Sequence, residues 1–152
     1  MADSAPNDGE APVIVGLFDA AMHMYIAAID TLPASSDPEF PERAAVVLTG
    51  MRKLQATMSQ AAKRSRVSPS VIVALSDVRR RYDDLMTIAA EGPGGTLGQR
   101  LYVARNRAKL SPQEAANGMG LRKDLIESIE AEGPADESET AQIKELIAAL
   151  GG

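Results

Sequence analysis

"LSPQEAANGMGLRKDLIESIEAEG", residues 110–133, decides the fold of the last third of the chain. Ser111-Pro112-Gln113-Glu114 has the S-x-x-E form of a capping box. In such a box the serine oxygen accepts from the third helical N–H and the glutamate reaches back to the serine N–H, while Pro112 sits where a missing N–H costs nothing. Asn117, Gly118 and Gly120 are expected to end this helix, Gly120 taking the positive φ that a sharp turn needs. A second short helix should begin near Arg122 and turn Leu125, Ile126 and Ile129 inward. Two short helices around a tight turn can place one of them in a DNA groove. Here, however, the second carries Asp124, Glu127 and Glu130, with Glu132 just after it, against only Arg122 and Lys123.

The flanking sequence extends the same pattern. Thr96 to Gln99 is a T-x-x-Q capping box, which opens a helix expected through "LGQRLYVARNRAKL". A final amphipathic helix should start near Asp136 or Ser138, with Ile143, Leu146, Ile147 and Leu150 on its buried side.

Upstream, "EGPGG" at 91–95 cannot continue a helix and reads as a linker. Before it come three stripes with spacings of mainly four and three: Ile14, Phe18, Ala21, Tyr25, Ala28 and Leu32; Val47, Met51, Leu54, Met58 and Ala61; Val71, Leu75, Val78, Tyr82, Leu85 and Ala89. "PASSDPEFP" and "RVSPS" separate them, with Ser68 as an N-cap and Pro69 at the first helical position. The expected organisation is a disordered tail over 1–11, a three-helix dimerisation or partner-binding domain over 12–90, a linker over 91–95 and a second domain over 96–152. A stripe that one small helical unit cannot bury is commonly buried in a dimer, here a homodimer through the N-terminal helices. Met22, Met24, Met51, Met58 and Met86 read as adaptable core filling. Residues 13–32 are long enough to span a membrane, but Asp19, His23 and Asp30 count against it, and no membrane contact is expected. His23 reads as a core or interface histidine.

The net charge of −5 conceals a gradient. Residues 1–40 hold seven acids and no Lys or Arg, residues 41–96 nine bases and five acids, and residues 97–152 seven bases and nine acids. Lys63, Arg64 and Arg66 cluster in the basic middle, as do Arg79, Arg80 and Arg81. Each cluster reads by default as a solvated face, and in the sharper reading as auxiliary phosphate contacts for a reader that lacks positive charge. Asp83 and Asp84 are placed to compensate Arg80 and Arg81 in part.

The order of motifs over residues 97–151, about a third of the chain, resembles the phage-repressor (Cro/lambda-repressor-like, xenobiotic-response-element) helix-turn-helix family. "LGQRLYVARNRAKLSPQEAANGMG" looks like its first two helices, "LRKDLIESIEAEG" like its recognition helix, and "ETAQIKELIAALG" like its last helix. The resemblance implies a lambda-repressor-like helical domain that binds double-stranded DNA as a dimer, without cofactor or enzymatic activity. It further implies a salt bridge between Arg105 and Glu130, which makes Glu130 structural. It puts base-reading positions on Arg122, Lys123, Asp124 and Ser128, with Glu127 adjoining. Arg and Lys donate to guanine, and Asp or Glu accepts from cytosine. The sequence departs from the family at three places. Pro112 replaces a DNA-touching Gln and leaves Gln113 as its substitute, Ala115 replaces a larger Leu, and Glu132 replaces a Gly, shifting the turn to Gly133-Pro134.

The expected fold is therefore all-α and the expected function DNA-binding transcriptional regulation. The alternative is an adaptor or antitoxin-like regulator whose acidic helix binds a protein partner. Cysteine is absent and His23 is alone, so thiolate and multi-histidine metal sites and cysteine nucleophiles are excluded. "GPGG" lacks the lysine and preceding strand of a phosphate loop, and Asp83 and Asp84, adjacent on a helix, diverge. No catalytic residue or metal ligand is assigned. The polar, acidic N-terminus lacks the pattern of a secretory signal, which points to a cytoplasmic protein.

Overall fold

The computed structural model describes residues 5–64 and 69–152, with backbone alone for residues 5–11 and 64. The described residues form seven helices and no strand: α1 (Ala5–Asp30), α2 (Phe40–Arg64), α3 (Pro69–Glu91), α4 (Leu97–Arg107), α5 (Pro112–Met119), α6 (Lys123–Glu130) and α7 (Glu137–Ala149). The fold is all-α. Residues 1–4 of the expected tail and the expected N-cap Ser68 lie outside the described residues. Residues 5–11 are helical rather than irregular, and Pro12 lies inside α1. Its ring fixes φ near the helical value, but as the eighth residue of α1 it lies past the first turn, so its missing N–H removes one i→i−4 bond.

The chain divides into two compact units: residues 1–33 with 42–84, and residues 34–41 with 85–152. Residues 91–95 fall inside the second, where Gly92 N–H donates to the Ile88 carbonyl at 3.2 Å and Gly95 N–H to Gly92 at 3.1 Å.

In the first unit Phe18, Met22, Met58, Leu75 and Val78 form a buried cluster, with Ile14, Ile26 and Leu54 packed against it. The expected stripes of α2 and α3 are buried or half-buried throughout, as their periodicity requires. The α1 stripe is only half-buried apart from Phe18. His23 is exposed, not a core residue, because it lies on the far side of α1 from Phe18 and Met22. Met24 is exposed as well, whereas the other four methionines named above are buried. By length and composition the segment Pro12–Asp30 could cross a membrane.

In the second unit Leu101, Ala104, Ala115, Ala116, Leu125, Ile126, Ile129, Ile143, Leu146 and Ile147 form one core. Each fully buried Leu or Ile contributes about 1.5–3 kcal/mol. Local chemistry sets where these helices start and stop. Thr96, Ser111 and Asp136 close reciprocal capping boxes with Gln99, Glu114 and Glu139. All four helices end in a Schellman pattern, in which the N–H after a left-handed residue reaches back to the carbonyl five residues earlier. Those bonds are Leu110 to Arg105, Leu121 to Ala116, Gly133 to Ser128 and Gly152 to Ile147, at 3.1, 2.8, 2.7 and 3.0 Å. The left-handed residues are Lys109, Gly120, Glu132 and Gly151, at φ 58°, 67°, 68° and 89°.

Three boundaries differ from expectation. α5 continues through Asn117 and Gly118 to Met119, so that Gly120 alone stops it. α4 ends at Arg107, since Lys109 turns the chain. Glu132 itself adopts the left-handed conformation, so the turn is not shifted to Gly133-Pro134.

Candidate nucleic-acid interface

Helix α6 is held by an internal frame. Arg105 of α4 donates to Glu130 of α6 through Nε at 2.7 Å and Nη2 at 2.8 Å, and its Nη1 donates to the Leu110 carbonyl at 2.8 Å. Both side chains are 9% exposed. The pair forms because a buried charge needs a full set of partners, and the flat guanidinium fork fits two carboxylate oxygens. The Glu130 hydrogen bond pushes the Arg105 pKa up, while burial raises that of Glu130 against the opposing pull of Arg105. Arg105 also lies over the Tyr102 ring, 5.6 Å from its centroid.

A second brace joins the start of α4 to the exit of α6. The Thr96 hydroxyl donates to Glu132 Oε2 at 2.7 Å while accepting from Gln99 N–H at 3.0 Å. Nearby, a Cβ on Gly98 would lie 2.1 Å from the Ile129 carbonyl oxygen, so α4 can approach the end of α6 this closely only with glycine there.

With Leu125, Ile126 and Ile129 buried, α6 shows water the side holding Arg122, Lys123, Asp124 and Glu127. These charges pair with one another. Arg122 lies 3.1 Å from Asp124 and 3.7 Å from Glu139 of α7, and Lys123 lies 3.8 Å from Glu127 one turn on. All four stay at least half-exposed, so the pairs are weak and a stronger anionic partner can compete for the bases. Ser128 is half-buried, and a Cβ on Gly133 would lie 2.2 Å from its hydroxyl oxygen; Ser128 therefore faces the exit turn. Gln113, exposed on α5, donates to Asn117 at 2.8 Å.

The auxiliary clusters belong to the first unit, apart from what lies outside the described residues. Arg66 and the Arg64 side chain lie there, and Lys63 is exposed. Arg79 is exposed, while Arg80 and Arg81 both donate to Asp77, Arg81 at 3.2 Å. Asp77, one turn before them, is thus an acid that pairs with both. An acid one turn N-terminal to a base is the favoured order on a helix. Among the described residues no group of three or more His, Asp or Glu is placed to hold a metal ion.

The residues that sequence reasoning missed are Thr96 and Glu132 as a brace, Asp77 and Glu139 as counter-ions, and Lys109 as a left-handed stop. Lys123 and Glu127 at i,i+4 were a readable signal; the Thr96–Glu132 contact, 36 residues apart, was not.

The family model MSMEG_6518_N, described as an N-terminal domain, matches residues 25–96. No solved structure matches the chain. An uncharacterized protein of Mycolicibacterium smegmatis is 74% identical over 129 residues, which cover 85% of this chain and all of that protein. A match of that length takes in α2 through α5 wherever it starts, and by this identity and coverage the chain belongs to the family of that mycolicibacterial protein.

Proposed function

We propose that the chain is a DNA-binding transcriptional regulator that acts as a dimer, with α5, the Gly120 turn and α6 as a phage-repressor-like helix-turn-helix. The supporting observation is an α6 braced from behind by the buried Arg105–Glu130 pair, with Arg122 and Lys123 exposed at its N-terminal end. In this reading α6 enters the major groove of double-stranded DNA, and phosphates or guanine edges draw Arg122 and Lys123 from their weak acidic partners. Gln113 adds a secondary contact, Ser128 would do so only by turning from the exit turn, Asp124 and Glu127 accept from cytosine, and Lys63 and Arg79 to Arg81 add phosphate contacts.

The alternative reading, an adaptor whose α6 docks on another protein, is favoured by the charge balance of that face, which the ion pairs leave close to neutral. The double variant Asp124→Asn with Glu127→Gln separates the two. For a DNA reader it releases Lys123 and one of the two acids beside Arg122 and removes repulsion from phosphate, so affinity for fragmented genomic DNA, where nonspecific sites dominate, should rise several-fold while Arg122→Glu with Lys123→Glu abolishes binding. Unchanged affinity in both variants would overturn the assignment of α6 as the reader.

A further inference from the structure

The exposed side of α1 carries a second apolar stripe that the fold of one chain does not use. Val13, Leu17, Ala20, Met24 and Ala27 recur at spacings of four, three, four and three, and all five are exposed. Val13, Leu17 and Met24 show 61%, 64% and 69% of their surface to water. This is the period of a helix–helix seam, and the opposite face of the same helix already packs inward through Phe18 and Met22. A helix apolar on both faces is normally covered on both.

Beside this stripe runs a groove between α1 and α2, lined by Met24, Tyr25 and Ala28 on one side and Val46, Gly50 and Lys53 on the other. Val46 is 72% exposed. A Cβ on Gly50 would lie 2.3 Å from the Tyr25 hydroxyl, so glycine lets the tyrosine lie across α2 and keeps the groove floor shallow. Among the described residues Lys53 is the one charged residue in the lining. Asp30 is exposed at the C-terminal end of α1 and residues 1–40 contain no Lys or Arg, whereas Asp19, also exposed, lines a separate groove with Arg80 of α3.

We infer that the groove and stripe form a two-fold interface in which α1 of each chain lies in the α1–α2 groove of a second copy. The inference rests on the dimeric part of the proposed function and specifies its surface. The charges favour this occupant, because an acidic α1 without bases meets a groove whose single charge is positive, and the exchange is reciprocal under two-fold symmetry. The stripe alone is about 21 Å long and about 10 Å wide, well short of the ~800 Å² that each partner buries in a standard interface, so α2 must contribute. A membrane fits less well, because the surface of a cytoplasmic leaflet is negative and repels a segment with only acids.

Sedimentation equilibrium of the full chain without DNA is the test, with circular dichroism to confirm folding. Wild type should be dimeric at micromolar concentration. Leu17→Glu, Met24→Glu and Lys53→Glu should each weaken association at least tenfold, and adding Asp30→Lys to Lys53→Glu should restore part of it. Val73→Glu, equally exposed on α3 at 67%, should leave it intact. A monomeric wild type, or a dimer indifferent to Leu17→Glu and Met24→Glu, overturns the interface. Flotation of wild type with phosphatidylcholine vesicles that Leu17→Glu abolishes also overturns it, in favour of lipid. A dimer that ignores DNA removes the DNA reading and leaves the interface standing; a monomer that binds DNA does the reverse.

Discussion

Helices α4 to α7 enclose their large apolar side chains, with Leu101, Ile126 and Ile143 wholly buried, whereas α1 to α3 leave Val13, Leu17, Met24, Val46, Ile72 and Val73 in water. The two regions also hold their helices differently. In α4 to α7, three starts are fixed by capping boxes, all four ends by left-handed turns, and the packing of α6 on α4 by a buried ion pair. In α1 to α3 the apolar stripes organise most of the packing, joined by the Arg52 hydrogen bond to the Tyr82 hydroxyl between α2 and α3. The C-terminal helices therefore satisfy themselves within one chain, and the N-terminal ones leave surface to be satisfied by something else. Substitutions at the brace should change stability, while substitutions on the outer stripe of α1 should change association.

The largest expected effect is at the ion pair. Arg105→Met leaves Glu130 buried without its partner and should cost about 3–5 kcal/mol in chemical denaturation. Adding Glu130→Leu should recover most of this loss, because an apolar pair of similar volume needs no solvation. The Leu110 carbonyl, which still lacks its donor, accounts for a residue of about 1 kcal/mol. A double variant no more stable than the single one would show that the pair is not the organising contact.

Next comes the brace at Thr96. Thr96→Ala removes both the cap of α4 and the hydrogen bond to Glu132, and should cost about 1–2 kcal/mol; Thr96→Ser should restore most of it. Ser111→Ala, which loses a cap alone, should cost less, and thermal unfolding of the two variants gives the order.

Lys109→Gly should stabilise by about 1 kcal/mol, because a lysine at φ 58° bears a steric penalty that glycine does not. Glu132→Gly should gain less, since it relieves the same strain but gives up the bond from Thr96. Equal gains in the melting temperatures would rule out a contribution from that bond.

The smallest effect is a pH dependence. Hydrogen bonds from Ser111 hold the Glu114 carboxyl below its usual pKa. A depressed acid contributes stability that is present above the ordinary carboxylate range and is lost as pH falls through the folded-state value. Glu114→Gln should therefore flatten the acid side of the stability profile without changing its neutral side in the same proportion. An acid limb identical to wild type would contradict this role.

How far the sequence was legible follows the range of the interactions. The boxes at Thr96 and Ser111 span three residues, and the stop at Gly120 needs only glycine, so each could be read directly. The Arg105–Glu130 pair came from the family resemblance and not from spacing, and its geometry bears it out. Glu132 as a left-handed residue was hidden because glutamate carries no such signal; its conformation follows from the Schellman bond of Gly133 and its contact with Thr96. The outer stripe of α1 was legible, since Val13, Leu17, Ala20, Met24 and Ala27 repeat the same alternation as the inner one. Periodicity alone does not say which of two apolar faces turns inward, and Phe18 and Met22 decide that only once packed. On α6, composition displayed the acids but not their pairing, which turns an apparently repulsive face into a balanced one.

Binding to fragmented genomic DNA as a function of salt, followed by fluorescence anisotropy, tests the central claim most directly. The account predicts binding at low ionic strength whose logarithmic affinity falls linearly with the logarithm of salt, as counterions are released from the phosphates met by Arg122, Lys123 and the basic segment of each protomer. No binding at low salt would contradict it and leave α6 as a surface for protein.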